Sequence, residues 1–187
     1  MQNKREKKPR RIGPGDLETI AMDYLARFAT TEKRVAEMLI RRIRRAAHFH
    51  GDDPESLLEK VPAVIQSLVA KKLLDDGAFA GMKAASLTRR GTSRRQVSAK
   101  LAGFGVDAAT RGEAMAALTE EFGDTELAAA ITYAKRRRLG PYRARHIAGE
   151  QRLAQEKRDL AAMARAGFSF ALTKRVLQSE IEVEVEE

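Results

Sequence analysis

The sequence predicts an all-α protein of three tandem three-helix repeats forming an elongated, curved array. Three observations carry that expectation. Ala occurs 31 times, against 17 for Val and Ile together, with only seven Phe and three Tyr. Ala loses no side-chain entropy in a helix, whereas β-branched and aromatic residues favour strands. Cap residues recur ahead of apolar positions at helical spacing. Short patterns also return at fixed offsets, the signature of a repeat architecture.

The elements follow in order. Asp16 caps a first helix over 17–29, and a second runs from Thr30 or Thr31 to about Ala47. Val35, Met38, Leu39, Ile43 and Ala46 fall on one face of that second helix. Residues 48–53 break it, and Asp53-Pro54 reads as a cap followed by proline in the first helical turn. Pro62 kinks the third helical segment or opens a new helix, and Ile65, Leu68, Val69 and Leu73 form its buried stripe. Asp75-Asp76 ends that segment and caps the fourth helix, which carries Phe79, Met82 and Leu87. Ser93 and Gln96 form a capping box before Val97, Leu101 and Phe104, and Gly105 supplies a left-handed stop. Asp107 caps a sixth helix with Met115, Leu118 and Phe122, and Asp124 a seventh with Leu127, Ile131 and Ala134. The eighth carries Leu153, Leu160 and Met163 and stops at Gly167. Ser169 caps the ninth, with Leu172, Val176 and Leu177.

The repeat is legible in two alignments. Asp76-Gly-Ala-Phe79-Ala80 matches Asp124-Thr-Glu-Leu127-Ala128, and a basic doublet follows each at the same offset, Arg89-Arg90 and Arg137-Arg138. Leu101, Gly105, Val106 and Asp107 match Met163, Gly167, Phe168 and Ser169. The repeats are expected over 16–75 (with an insertion near 41–60), 76–123 and 124–182. Residues 1–15 read as a flexible basic arm and 183–187 as an acidic tail. One such unit cannot close a core alone, so neighbours must stack.

Charge narrows the function. Lys and Arg total 35 against 26 Asp and Glu, a formal charge of +9 and a pI near 10.0. Such a surface suits a polyanionic partner. Without cysteine there is no disulfide framework, thiolate metal site or cysteine nucleophile. No apolar run reaches the roughly 20 residues of a membrane span, and no apolar segment follows the basic N-terminus as in a secretory signal. A cytoplasmic protein with no membrane partner is expected.

Arg89, Arg90, Arg94 and Arg95 flank one helix start, where open amides beside guanidinium forks make a natural anion site. Lys135, Arg136, Arg137, Arg138, Arg143 and Arg145 form a second cluster, with Tyr133 and Tyr142 nearby for stacking. Their equivalent repeat positions favour a polyanion-facing surface over a merely solvated one. Arg41, Arg42, Arg44 and Arg45 read equally well as a solvated face or as phosphate contacts. His48, His50, Asp52 and Asp53 are the one metal-like group, but spacing of two parts the histidines on a helix, and Asp caps explain the carboxylates. No phosphate loop, dinucleotide fingerprint or nucleophile elbow occurs. The expectation is a non-enzyme without metal or cofactor.

Tyr24-Leu25-Ala26-Arg27, the junction Leu74-Asp75-Asp76-Gly77-Ala78-Phe79-Ala80, the stretch from Arg89 to Arg95 around Gly91, and Gly167-Phe168-Ser169 ahead of Val176-Leu177 follow in a characteristic order and spacing. Over about residues 17–178 this resembles the RecX family, bacterial regulators of the RecA recombinase. The chain departs from the family pattern at Thr31, which is followed by Glu32, Lys33 and Arg34, and in the 41–60 insertion. The resemblance implies a helical, monomeric modulator that binds the RecA filament on single-stranded DNA. It implies inhibition of ATPase, filament growth and strand exchange, in recombination, DNA repair and the SOS response. The residues alone also allow a direct nucleic-acid-binding helical repeat protein with no recombinase partner.

If the acidic tail masks basic surface, deleting 181–187, which removes four glutamates, should strengthen binding to naked DNA. Unchanged or weaker binding in a titration of labelled oligonucleotide would reject masking.

Overall fold

The computed structural model describes residues 8–143 and 150–178. Its elements are α1 (Asp16–Leu25), α2 (Glu32–His50), α3 (Glu55–Leu58), α4 (Val61–Ala70), α5 (Asp76–Arg89), α6 (Arg94–Phe104), α7 (Ala108–Phe122), α8 (Thr125–Arg137), α9 (Glu150–Arg165) and α10 (Phe170–Gln178). A 3-10 turn spans Gly140–Tyr142, and no strand occurs among the described residues. The protein is all-α, as its composition predicts. Pro62 lies in the first turn of α4 and so opens a new helix.

The described residues form two compact bodies. The first runs through Phe79 and takes in Phe104–Val106; the second holds Ala80–Gly103 and the described residues from Asp107 onward. In the first, α1, α2 and α4 pack around Leu17, Val35, Leu39, Ile43 and Leu68. This is the α2 stripe that the helical spacing predicts. In the second, α8, α9 and α10 close around Ala129, Ala130, Ala134, Met163, Phe168 and Val176. Three alanines on α8 leave room for close helix approach, with Met163 and Phe168 supplying the bulk.

Each body contains the same polar joint. Thr31, at the head of α2, accepts the Arg34 amide at 3.4 Å and donates to the Phe104 carbonyl at 2.6 Å. Ser93, at the head of α6, accepts the Gln96 amide at 3.4 Å and donates to the Ala166 carbonyl. Both long bonds span 73 residues. The next amide along is also satisfied from another helix, Glu32 by Asp76 at 2.9 Å and Arg94 by Glu126 at 2.7 Å. This correspondence is consistent with the repeat pattern in the sequence.

Several local expectations change. Asp16 sits inside α1 rather than before it, accepting the Gly13 amide at 2.8 Å, and α1 stops at Leu25. Gln96 does not close a capping box; its side chain reaches the Arg165 carbonyl at 3.4 Å. Val69, Leu73, Met82, Phe122 and Leu153 are exposed, Leu153 by 65%. Leu73 falls beyond the end of α4, where Lys72 takes a φ of 56°, and the chain buries Leu74 instead. On α5 the inward positions are Phe79, Ala80 and Ala84, which turn Met82 outward. Asp75, Asp107, Asp124 and Ser169 cap α5, α7, α8 and α10 as expected, each accepting an amide two or three residues on.

Phe79 is 6% exposed and meets Phe104 edge-on, with ring centroids 5.3 Å apart. Phe79→Ala should therefore cost about 3–5 kcal/mol. Chemical denaturation followed by circular dichroism measures this directly, and an unchanged midpoint would show that the ring contributes nothing to the first body.

Candidate functional site

The second body gathers two basic segments that lie apart in the chain. α5 ends at Arg89, and the chain turns through Arg90 and Gly91 to Ser93. Gly91 has a φ of +78° and rests on α8, where a Cβ would stand 2.7 Å from the Tyr133 amide nitrogen. Only glycine allows that approach. The turn is thereby pressed onto the helix that carries the second cluster. Arg136 donates to the Arg90 carbonyl at 2.8 Å, and its guanidinium lies 5.8 Å from the Tyr133 ring centroid. Lys135 stands over Tyr142 at 5.7 Å.

Arg89, Arg90, Arg94, Arg95, Lys135, Arg136, Arg137 and Arg138 are all exposed. The run from Lys135 closes α8, where the helix dipole favours cations. Fold stability alone thus accounts for some charge there. The same dipole argument covers Arg89 in the last turn of α5, but it does not account for Arg90 on the turn or for Arg94 and Arg95 at a helix start. The two Tyr rings are used to hold cations, not left open for base stacking.

The anion site expected at the head of α6 is filled from within. Glu126 takes the Arg94 amide and Ser93 the Gln96 amide. Burial pushes the Glu126 carboxyl above its ordinary pKa, against the opposing effect of the Arg94 amide. An incoming polyanion would meet guanidinium groups here, not bare amides. Glu126 escapes sequence reasoning because it lies on a different helix, 32 residues from the amide it caps.

Arg143 is likewise committed internally. One of its terminal nitrogens reaches both carboxylate oxygens of Asp159 at 2.8 Å. The Gly140 amide and the Gln155 side chain reach the same carboxylate at 2.9 Å. Asp159 is 4% exposed. Its burial would raise the pKa, but the Gly140 amide, Arg143 and Gln155 outweigh that and hold it below the usual carboxylate value. Arg143 therefore ties the 3-10 turn to α9. Arg145 and the acidic tail at 183–187 lie outside the described residues, as do residues 1–7 of the basic arm.

In the first body, Arg41, Arg42, Arg44 and Arg45 project from α2. The metal-like group has structural partners. Arg11 binds Asp52 through two nitrogens, His50 Nε2 lies 2.9 Å from the Pro9 carbonyl, and Asp53 accepts the Glu55 amide at 3.1 Å. Through Pro9 and Arg11, residues 8–11 of the expected basic arm contact the end of α2 and the turn after it. Among the described residues no group of three or more His, Cys, Asp or Glu is placed to hold a metal. No described helix is long and apolar enough to cross a membrane.

Comparison with known proteins gives a consistent set of relatives. The chain is 40% identical to the regulatory protein RecX of Myxococcus xanthus over 173 residues, 92% of this chain and 90% of the relative. It is 34% identical to the regulatory protein RecX of Agrobacterium fabrum over 157 residues, 84% of this chain and 79% of that one. Among solved structures, the crystal structure of RecX from Lactobacillus salivarius matches with a TM-score of 0.63 at 17% identity, covering 88% of this chain and 94% of that chain. A second crystal structure, of a regulatory protein RecX, matches with a TM-score of 0.60 at 19% identity, covering 87% and 70%. No family model matches the chain.

Asp159 makes a pH-dependent contribution that can be isolated. A depressed folded pKa stabilises the protein above the unfolded carboxylate value near ~3.9, and that stability is lost as pH falls through the folded pKa. Asp159→Asn should melt lower than the parent at pH 7, by the equivalent of about 3 kcal/mol for a broken buried pair. The difference should shrink as the pH is lowered below about 4. A difference in melting midpoint that is constant from pH 7 to pH 3 would exclude this role.

Proposed function

The chain belongs to the RecX family of regulatory proteins, and on that premise we propose that it binds the RecA recombinase filament on single-stranded DNA and inhibits it. The affected steps are ATPase, filament growth and strand exchange. One observation supports this beyond family membership: Arg90 and Arg136, 46 residues apart, meet in one exposed basic region with Arg89, Arg94 and Arg95 close by in the chain. The Arg94 and Gln96 amides at the start of α6 are taken by Glu126 and Ser93, and the arginine side chains are exposed. A recombinase–DNA filament is a dense polyanion, and such a surface steers association to it. Inhibition by occupancy needs no catalytic group, and a single copy of the chain suffices. The limits 16–75, 76–123 and 124–182 remain our reading of the repeats, supported by the matching joints at Thr31 and Ser93.

Replacing Arg89, Arg90, Arg94 and Arg95 together by Glu tests this reading. The hydrogen bonds at Arg90 and Arg94 run through backbone atoms, and exposed substitutions usually fall within about 0.5 kcal/mol each. The variant should fold yet lose most inhibition of the recombinase ATPase, most visibly at low salt. Measured on filaments assembled beforehand, parental inhibition should persist when extra single strand is added. A folded variant that inhibits like the parent removes this face from the mechanism. Parental inhibition relieved in proportion to added strand would favour simple DNA occupancy.

A further inference from the structure

We propose that the first body carries a separate phosphodiester-binding cleft, formed where the strap of residues 8–12 crosses α1 and α2. The inference stands independently of the recombinase reading. The cleft encloses about 560 Å³ and is lined by Lys8, Arg10, Arg11, Arg42 and Arg45 over an apolar floor that includes Ile20. The strap is one wall and α2 the other. Two anchors hold the strap: the two-nitrogen grip of Arg11 on Asp52 and the contact of His50 with the Pro9 carbonyl.

The charges divide into committed and uncommitted groups. Arg11 is engaged by Asp52, and Arg10 lies 3.6 Å from Asp16, which also accepts the Gly13 amide. Lys8, Arg42 and Arg45 hold no ion pair among the described residues, and Asp23 is the carboxylate of the lining that opposes them. Net positive charge therefore remains on both walls. Arg42 and Arg45 are three apart on α2, so their side chains project from the same face. Guanidinium forks present paired donors to the two free oxygens of a phosphodiester.

The chemistry of the floor narrows the ligand. The lining contains no aromatic side chain, so bases cannot stack there as they do in sequence-tolerant single-strand grooves. Recognition rests on backbone phosphates and is blind to sequence. The ligand class is a nucleic-acid strand held by its phosphodiester backbone between the strap and α2.

The test uses the full chain without recombinase. Anisotropy of labelled oligodeoxythymidylate and of a mixed-sequence strand is measured against salt. Arg42→Gln/Arg45→Gln should weaken both strands about equally, five- to tenfold near 0.1 M salt. The slope of log affinity on log salt should shrink by about 1.4, from two lost contacts at roughly 0.7 each. Asp52→Ala separates geometry from net charge. It makes the protein more positive but frees the strap, so binding should weaken severalfold; stronger binding would overturn the cleft. An unchanged affinity and slope in the folded glutamine variant would overturn it too, with Arg45→Gln alone serving if the double variant fails to fold. Competition by inorganic phosphate or ATP at equal phosphate concentration would assign the cleft to small phosphate ligands. Equal competition by polyglutamate would reduce it to a general anion surface. Both results would overturn the nucleic-acid assignment. The quadruple glutamate variant of the second body should retain the Arg42- and Arg45-dependent part of binding, whether or not it still inhibits the recombinase.

Discussion

A buried hydroxyl at the head of a helix, bonded in two directions, is the constraint around which each body is built. Thr31 and Ser93 are fully inaccessible. Each satisfies an amide of its own helix while donating to a carbonyl 73 residues further along. A buried hydroxyl left half-bonded would cost about 1–3 kcal/mol. The acceptor carbonyl must therefore arrive in the correct place, and the helix-ending turn that follows it fixes that place. At Gly167, with a φ of +88°, an added Cβ would stand 2.7 Å from Ser93 Oγ. The hydroxyl and the glycine are thus one fitted pair: the small residue creates the space and the hydroxyl fills it with a bond.

From that joint the basic region follows. Ser93 fixes the start of α6, and Gly91 two residues earlier fits against Tyr133 on α8. Arg89 and Arg90 immediately before the turn are then carried beside Arg136. The arginines do not assemble the surface; like charges would resist it. Packing of an unsubstituted backbone against α8 brings them together, and the carbonyl of Arg90 and the Tyr133 ring accommodate one guanidinium of the set.

The parts of this arrangement that were legible in the sequence are the local ones. Thr31, Asp107, Asp124 and Ser169 act on amides within three residues, so their cap role needs no knowledge of the fold. Val35, Leu39 and Ile43 share a face by helical period alone. Leu73, Phe122 and Leu153 were misplaced because a stripe's end is buried only if another element reaches that far. Tertiary choice also hid the second use of charge. Glu126 caps a helix other than its own, Arg143 turns to Asp159, and Arg11 reaches Asp52 across 41 residues. In each case the partner is set by folding, and neither spacing nor composition encodes it. The repeat pairing of Arg89-Arg90 with Arg137-Arg138 does not encode the contact either: it is Arg136, one residue before that doublet, that reaches the Arg90 carbonyl.

The stretch between His50 and Val61 has a different kind of freedom. It lies inside the 73-residue loop closed by Thr31 and Phe104, yet Glu59 and Lys60 are exposed and belong to neither bonded end. Lengthening a closed loop is entropically cheap, about 0.6 kcal/mol per doubling. The 59–60 peptide is accordingly a splice point whose local cost is the one backbone bond across it, from the Lys60 amide to the Leu57 carbonyl. A fluorescent reporter could be grafted there while the Arg11–Asp52 strap upstream and the Thr31 joint keep their register.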